Sequence, residues 1–474
     1  MSDHPTQTSY DVIVIGAGSG GYAAARTARA LGASVAFVDK GPLGGLCILR
    51  GCMPSKTLLA TGDLAHEIDH AAALGMKVAK AAVDFPFVMA RKKTIIQEFA
   101  DYRVAGIDTF PTFMGEAHFE SPTSLRVGET LLHAPKFVIG TGSVVAPPVI
   151  PGLVEAGFID SDEALVLDRQ PASMIVLGGG YVSTELGQFY ARIGTKITVV
   201  IRGKHVLSGE DTDVAESLTN YLREEGITIE TGAQVERVSV RDDGMKVVHF
   251  KRDGKEESVA AEEIFYALGR VPNIAGLGLE NAGVRAHAVR GIEVDGSMRT
   301  SNRNIFAVGD VTGQYLLVHV AIQQGEIAAR NAVHDADEIV DYTLSKAHTV
   351  FSDPQIAVVG ETEKELIAAG VPYLKAMYPF NDLGKAISIG KTKGFVKMLA
   401  SPDDGKILGV AILGQNASDL IHTPMAAMAF GATVFDYMKI PHLHPTMAEI
   451  LTYPPEEIAD EIIARRNQPA AVAS

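Results

Sequence analysis

The chain alternates between short, wholly apolar runs and longer stretches whose apolar residues recur every three or four positions. Val12 to Ile15 is a run of the first kind, Ser34 to Val38 is apolar after its opening serine, and the alanine-rich stretch between them is of the second. A continuous apolar run marks a strand buried on both faces, and helical periodicity marks a helix that covers it. The succession therefore predicts a strand, helix, strand unit with parallel strands. It returns later, with a strand at Ile175 to Leu177, a helix to about Ile193 and a strand over Lys196 to Ile201. Between the two units, about Leu58 to Phe99 has the spacing of a packed helix pair. From Ser345 the pattern shifts to strands backed by two helices. "VFSDPQIAVVG" is followed by "GFVKMLASPDDGKILGVAIL", a hairpin turning at Asp-Asp-Gly. After Tyr453-Pro454-Pro455 a last amphipathic helix ends near Arg466, and the alanine-rich end is expected to be loose.

At 474 residues the chain is too long for a single core. A formal net charge of −15 disfavours nucleic acid and anionic membrane as partners. No apolar run is long enough to span a bilayer, and the opening residues lack the features of an export signal, so a cytoplasmic location is expected. Two cysteines cannot brace a secreted chain of this size.

Glycines punctuate both units. Gly16, Gly18 and Gly21 follow the first strand, and Asp39 ends the second. That spacing supplies a tight turn, bare backbone for a pyrophosphate at a helix N-terminus, and an acid for a ribose hydroxyl. In the second unit Gly178 and Gly180 take the first two positions and Ser183 the third. Ile201 and Arg202 stand where the acid is expected. Arginine attracts a 2′-phosphate, so this site is expected to favour NADP(H) over NAD(H), unless Arg202 is only a solvated strand end. Two dinucleotide folds suggest hydride passing from a nicotinamide to a bound flavin and on to a dithiol. "TSNRNIFAVGD" would lay Asp310 on a ribityl chain, or be a plain strand and turn.

Both cysteines, Cys47 and Cys52, lie in "GGLCILRGCMPSK". Pro54 suits the first turn of a helix, which puts Cys52 at a helix N-terminus with Lys56 one turn on, and both favour a thiolate. In a regular helix residues five apart point about 140° away from each other, but Gly51 interrupts the ladder and lets the pair close. A redox switch fits. Inert core packing or half of a zinc site are the alternatives, although zinc needs two further ligands and no third cysteine exists. In "HLHPTMAE" a histidine suits proton exchange between sulfurs. Glu449 could orient it, or could merely complete a capping box with Thr446.

Both glycine motifs, the cysteine segment, "ALGRVPN" from Ala267, "AVGD" from Ala307 and "HLHPTMAE" occur in an order that resembles the pyridine nucleotide–disulfide oxidoreductases, most of all the dihydrolipoamide dehydrogenases. The resemblance implies an α/β fold with two Rossmann-like domains, for FAD and NAD(P), and a C-terminal α+β dimerisation domain. Its parts would be an FAD domain over 1–148, an NAD(P) domain over 149–271, a return to the FAD domain over 272–344 and a dimerisation domain over 345–474. By the same likeness Cys47 is the thiol that meets substrate and Cys52 the one near the flavin. Lys56 and Glu185 pair beside the isoalloxazine, and Tyr181 covers the nicotinamide pocket. His444 works across a homodimer, oriented by Glu449. Ala117, Thr141, Gly142, Val235, Gly269 and Val318 would also contact cofactors. The partner would be a small dithiol or disulfide, or a lipoyl-bearing protein.

Two features depart from that pattern. Arg50 stands in the cysteine loop where relatives carry an uncharged residue; it would favour thiolate and an acidic substrate, or face solvent. Ile201-Arg202 replaces the acid of NAD-dependent relatives, which keeps open an NADPH-driven reductase of another small disulfide of glutathione type, or of a metal ion. A low-turnover redox sensor or assembly component is a third reading. No cysteine pair lies in the C-terminal tail, as mercuric reductases have, so efficient mercury reduction is not expected. The chain opens directly on the first FAD strand, and no fused lipoyl or metal-binding domain is expected in front.

Overall fold

The computed structural model describes residues 7–467. The loose tail and the opening residues read for an export signal lie outside the described residues. The first sheet has five parallel strands in the order Ile305–Ala307, Lys136–Ile139, β1 (Val12–Ile15), β2 (Val35–Asp39) and β3 (Thr112–Met114). Its apolar runs are explained by two covered faces. Val12 and Val14 pack on α1 (Ser19–Ala30) and the helix Val318–His334. Ile13 and Ile15 face the three-stranded meander that contains Phe119, Leu125 and Leu132. Each such fully buried side chain contributes about 1.5–3 kcal/mol relative to exposure.

The second sheet repeats the scheme with four parallel strands: Thr228–Glu230, Lys196–Val200, Ser173–Leu177 and Glu263–Tyr266. Met174 and Val176 face the helix Tyr181–Arg192, and Ile175 and Leu177 face an antiparallel sheet that includes Gln234–Val240. Strand ends move by one or two residues from the pattern. Ile201 falls just past its strand, yet it is buried, because the loop that follows folds back over it.

The cysteine segment follows β2 as α2 (Leu46–Arg50) and α3 (Cys52–His70), and α4 (Phe85–Ile107) completes the helix pair. Gly51, at φ −139° and ψ −115°, breaks the ladder between α2 and α3. Along its length α3 packs on the helix Tyr181–Arg192, which joins the two nucleotide lobes. The C-terminal part is a five-stranded antiparallel sheet with the pair Phe395–Ala400 and Ile407–Gly414 at its centre. Its cover is several short helices and the long Tyr453–Arg466 rather than two helices alone. Gly431, Pro441 and Pro445 interrupt the intervening segment. No helix among the described residues is long and apolar enough to cross a membrane.

Candidate active site

The first glycine loop is shaped by close backbone contacts. Gly16 has φ +95°, and a Cβ there would lie 2.3 Å from the Gly140 carbonyl oxygen. A Cβ on Gly21 would sit 1.9 Å from the carbonyl oxygen of Gly16. Gly18 caps α1 without a side chain, leaving the first-turn N–H groups free for an anion. Asp39 has structural work as well: its Oδ2 accepts from the Ala17 N–H and its Oδ1 from the Gly41 N–H, each at 2.7 Å. Thr141 Oγ1 donates to the Asn273 carbonyl, and Gly142, at φ +72°, accepts from the Asn273 N–H. Asp310 follows the strand Ile305–Ala307; burial pushes its carboxyl up, and Ser143 Oγ donates to it at 2.7 Å. Val318 opens its helix and Ala117 is buried at the start of the meander. A glycine-lined phosphate cradle with a buried acid beyond it fits FAD.

The second loop is similar in plan. A Cβ on Gly178, at φ +113°, would lie 2.5 Å from the Ala267 carbonyl oxygen, whereas Gly180 faces open space. Ser183 is buried and donates its hydroxyl back to Gly180. Gly269 turns with φ +109° beside this loop, and Val235 lies on the strand Gln234–Val240. Arg202 is exposed. Tyr181 begins the helix Tyr181–Arg192, and its hydroxyl donates to Glu210 Oε1 at 3.0 Å. The same oxygen takes a bond from His348 Nε2 at 2.9 Å. Burial opposes charge on that imidazole, but the Glu210 carboxylate outweighs it and raises the histidine above its ordinary range.

The two thiols are half-buried and lie close enough to shift each other's titration. The neighbouring Cys47, with the positive charge of Lys56, brings the Cys52 thiol down to about 7. Cys47 is pushed far up by Cys52 and by burial, against a smaller pull from Arg103. Lys56 Nζ lies 2.7 Å from Glu185 Oε2 and stands 4.5 Å from the Phe351 ring centre, while Glu185 Oε1 accepts the Phe351 N–H at 2.9 Å. Arg50, half-exposed, pairs with Asp162 at 3.2 Å.

Away from the thiols, His444 Nδ1 is 2.8 Å from Glu449 Oε1, and its side chain is 79% exposed. Glu449 Oε2 accepts the Thr446 N–H at 2.9 Å. The carboxylate thus both caps the helical turn and holds the imidazole, one oxygen for each. His442 Nδ1 lies 3.0 Å from the Ile440 carbonyl.

Sequence reasoning missed Glu210 and His348, whose partnership spans 138 positions, and Arg103, which sits in an ordinary helical pattern. No local spacing signals either.

Residues 10–325 match the family described as pyridine nucleotide-disulphide oxidoreductase, and residues 346–454 match its dimerisation domain. A dihydrolipoyl dehydrogenase of Geobacillus stearothermophilus is 35% identical over 451 residues, covering 93% of this chain and 94% of its own. A mercuric reductase of Bacillus cereus is 33% identical over 443 residues, covering 93% and 70%. The solved structure of the Cu(II) complex of HOCl-induced flavoprotein disulfide reductase RclA from Escherichia coli superposes with a TM-score of 0.83 at 26% identity, over 97% of this chain and 100% of that one. Both glycine loops and the thiol pair fall within the first match and the His444–Glu449 pair within the second, and the chain belongs to the pyridine nucleotide-disulphide oxidoreductase family.

Proposed function

We propose that the chain catalyses a dihydrolipoamide dehydrogenase-type exchange between a dithiol and a nicotinamide nucleotide, as a homodimer, and uses NADP(H) at least as well as NAD(H). The observation that carries this reading is the placement of Cys47 and Cys52 on either side of Gly51 at the start of α3, with Lys56 one turn on and paired at 2.7 Å to Glu185 of the second nucleotide lobe. Bound FAD supplies the two-electron carrier between nicotinamide and sulfur. In the oxidative direction a substrate thiolate attacks Cys47 of the Cys47–Cys52 disulfide, and Cys52 leaves as a thiolate steadied by Lys56. The second substrate thiol then displaces Cys47, which closes the substrate disulfide. Two electrons stay on the cysteine pair, and His444 of the opposite subunit takes up a thiol proton, held for the task by Glu449. The balance is dithiol plus NAD(P)+ giving disulfide, NAD(P)H and a proton.

Arg202 supports NADP(H), because no acid at the strand end repels a 2′-phosphate. That same residue favours a second reading, an NADPH-driven reductase of another small disulfide or a metal ion. A steady-state panel separates the two: dihydrolipoamide, lipoamide, glutathione disulfide and Hg²⁺, each with both nucleotides. Fastest turnover with the lipoamide couple is expected, with NADP(H) at least equal to NAD(H). Preference for glutathione disulfide or Hg²⁺ would replace the first reading with the second.

A further inference from the structure

One cation beside the thiols has no part in this chemistry. Arg103 lies on α4, which packs over α2, and its guanidinium sits 4.6 Å from the centre of the Tyr22 ring. From there its positive charge reaches Cys47. Its Nη1 is buried and has no hydrogen-bond partner among the described residues. Among the described residues no carboxylate pairs with it; its neighbours are the Tyr22 ring, the Cys47 thiol and Arg26. Arg26, on α1, approaches the same ring at 5.8 Å from the other helix. Yet the chain carries 57 acidic residues against 42 Lys and Arg, so a guanidinium without an acid is unexpected here. A partly buried guanidinium is costly to hold without an anion, and its planar fork fits a carboxylate.

We infer that Arg103 is a specificity-determining residue that receives a carboxylate of the substrate at Cys47, so that within the dithiolane class proposed above the free acid is preferred to its amide. Arg26 adds a second, more distant charge to the same approach. The inference rests on Cys47 being the thiol that meets substrate.

Lipoate and lipoamide test it, because they share one dithiolane and differ only in carboxylate against amide. With purified holoenzyme and NADPH, the wild type is expected to favour lipoate in kcat/KM, and added salt should shrink the preference. Arg103→Gln should lower the lipoate-to-lipoamide ratio about tenfold, the scale of one charge-assisted hydrogen bond. Arg103→Lys should retain part of the ratio, and Arg26→Gln should lower it less. If Arg103→Gln fails to hold flavin, the Lys and Arg26 variants carry the same comparison. A ratio near one in the wild type, or a ratio that no variant changes, overturns the inference. Bleaching of the flavin by NADPH reports separately on the nucleotide half. Bleaching with turnover and an unchanged ratio strikes only the role of Arg103, whereas turnover of neither dithiolane strikes the parent reading.

Discussion

Cys52 opens α3 beside Cys47, with the Lys56 ammonium one turn away, and these neighbours bring its thiol down to about 7. The thiolate fraction of the reduced enzyme should therefore rise as pH increases through 7, while Cys47 keeps its proton. Lys56→Met removes the stabilising charge and should move the midpoint upward by about one pH unit. Thiolate absorbance of the reduced protein measures it, and an unmoved midpoint would show that Lys56 does not hold the charge. This much of the site was legible: a proline, a helix start and a lysine four residues on are local signals. Asp39 was only half legible. Its position at a strand end suggested a ribose, but the bonds to Ala17 and Gly41 depend on how the loop folds back. The double duty of Glu449 likewise becomes visible only in three dimensions, since either role satisfies the sequence.

Among the elements, the strand Phe395–Ala400 buries one cation completely. Lys397 Nζ lies 2.7 Å from Asp211 and from Asp213, at the start of the helix Thr212–Glu224, and 3.5 Å from Glu363. One ammonium thereby pins the nucleotide lobe to the C-terminal sheet. Lys397→Met leaves three carboxylates facing one another and should cost about 3–5 kcal/mol, read as a lower denaturation midpoint. Asp213→Asn in that background should recover part of the loss; no recovery would mean that packing rather than charge sets the cost. Burial alone would raise Asp211 and Glu363, yet their cationic neighbours and hydrogen bonds hold both below the ordinary carboxylate range. Their contribution is therefore full at neutral pH and lost as pH falls through and below about 4. None of this could be read along the chain, because Lys397 looks like any outward residue of an alternating strand. The strands and glycine loops were legible because their apolar runs and turns are local. The C-terminal helices were not, since glycines and prolines cut them into pieces too short for a periodic pattern.

At the scale of the whole molecule, the C-terminal part leaves Phe430 92% exposed, Leu443 77% and Met438 45% in this chain, close in sequence to His444. Such large apolar exposure fits a two-fold contact. Phe430→Asp with Met438→Asp should yield monomers by light scattering that remain yellow but lose disulfide turnover by about 10²-fold or more, as loss of a general base predicts. Monomers with full turnover would place the proton acceptor within one chain. The Lys56–Glu185 bridge bears on the protein's history as well as on its chemistry. Two nucleotide folds that look like separable cassettes are joined by several ion pairs, and this one lies a turn from the Cys52 thiol. A graft of a foreign nucleotide cassette would have to bring its own glutamate to that spot, or strand a lysine next to the acidic thiol.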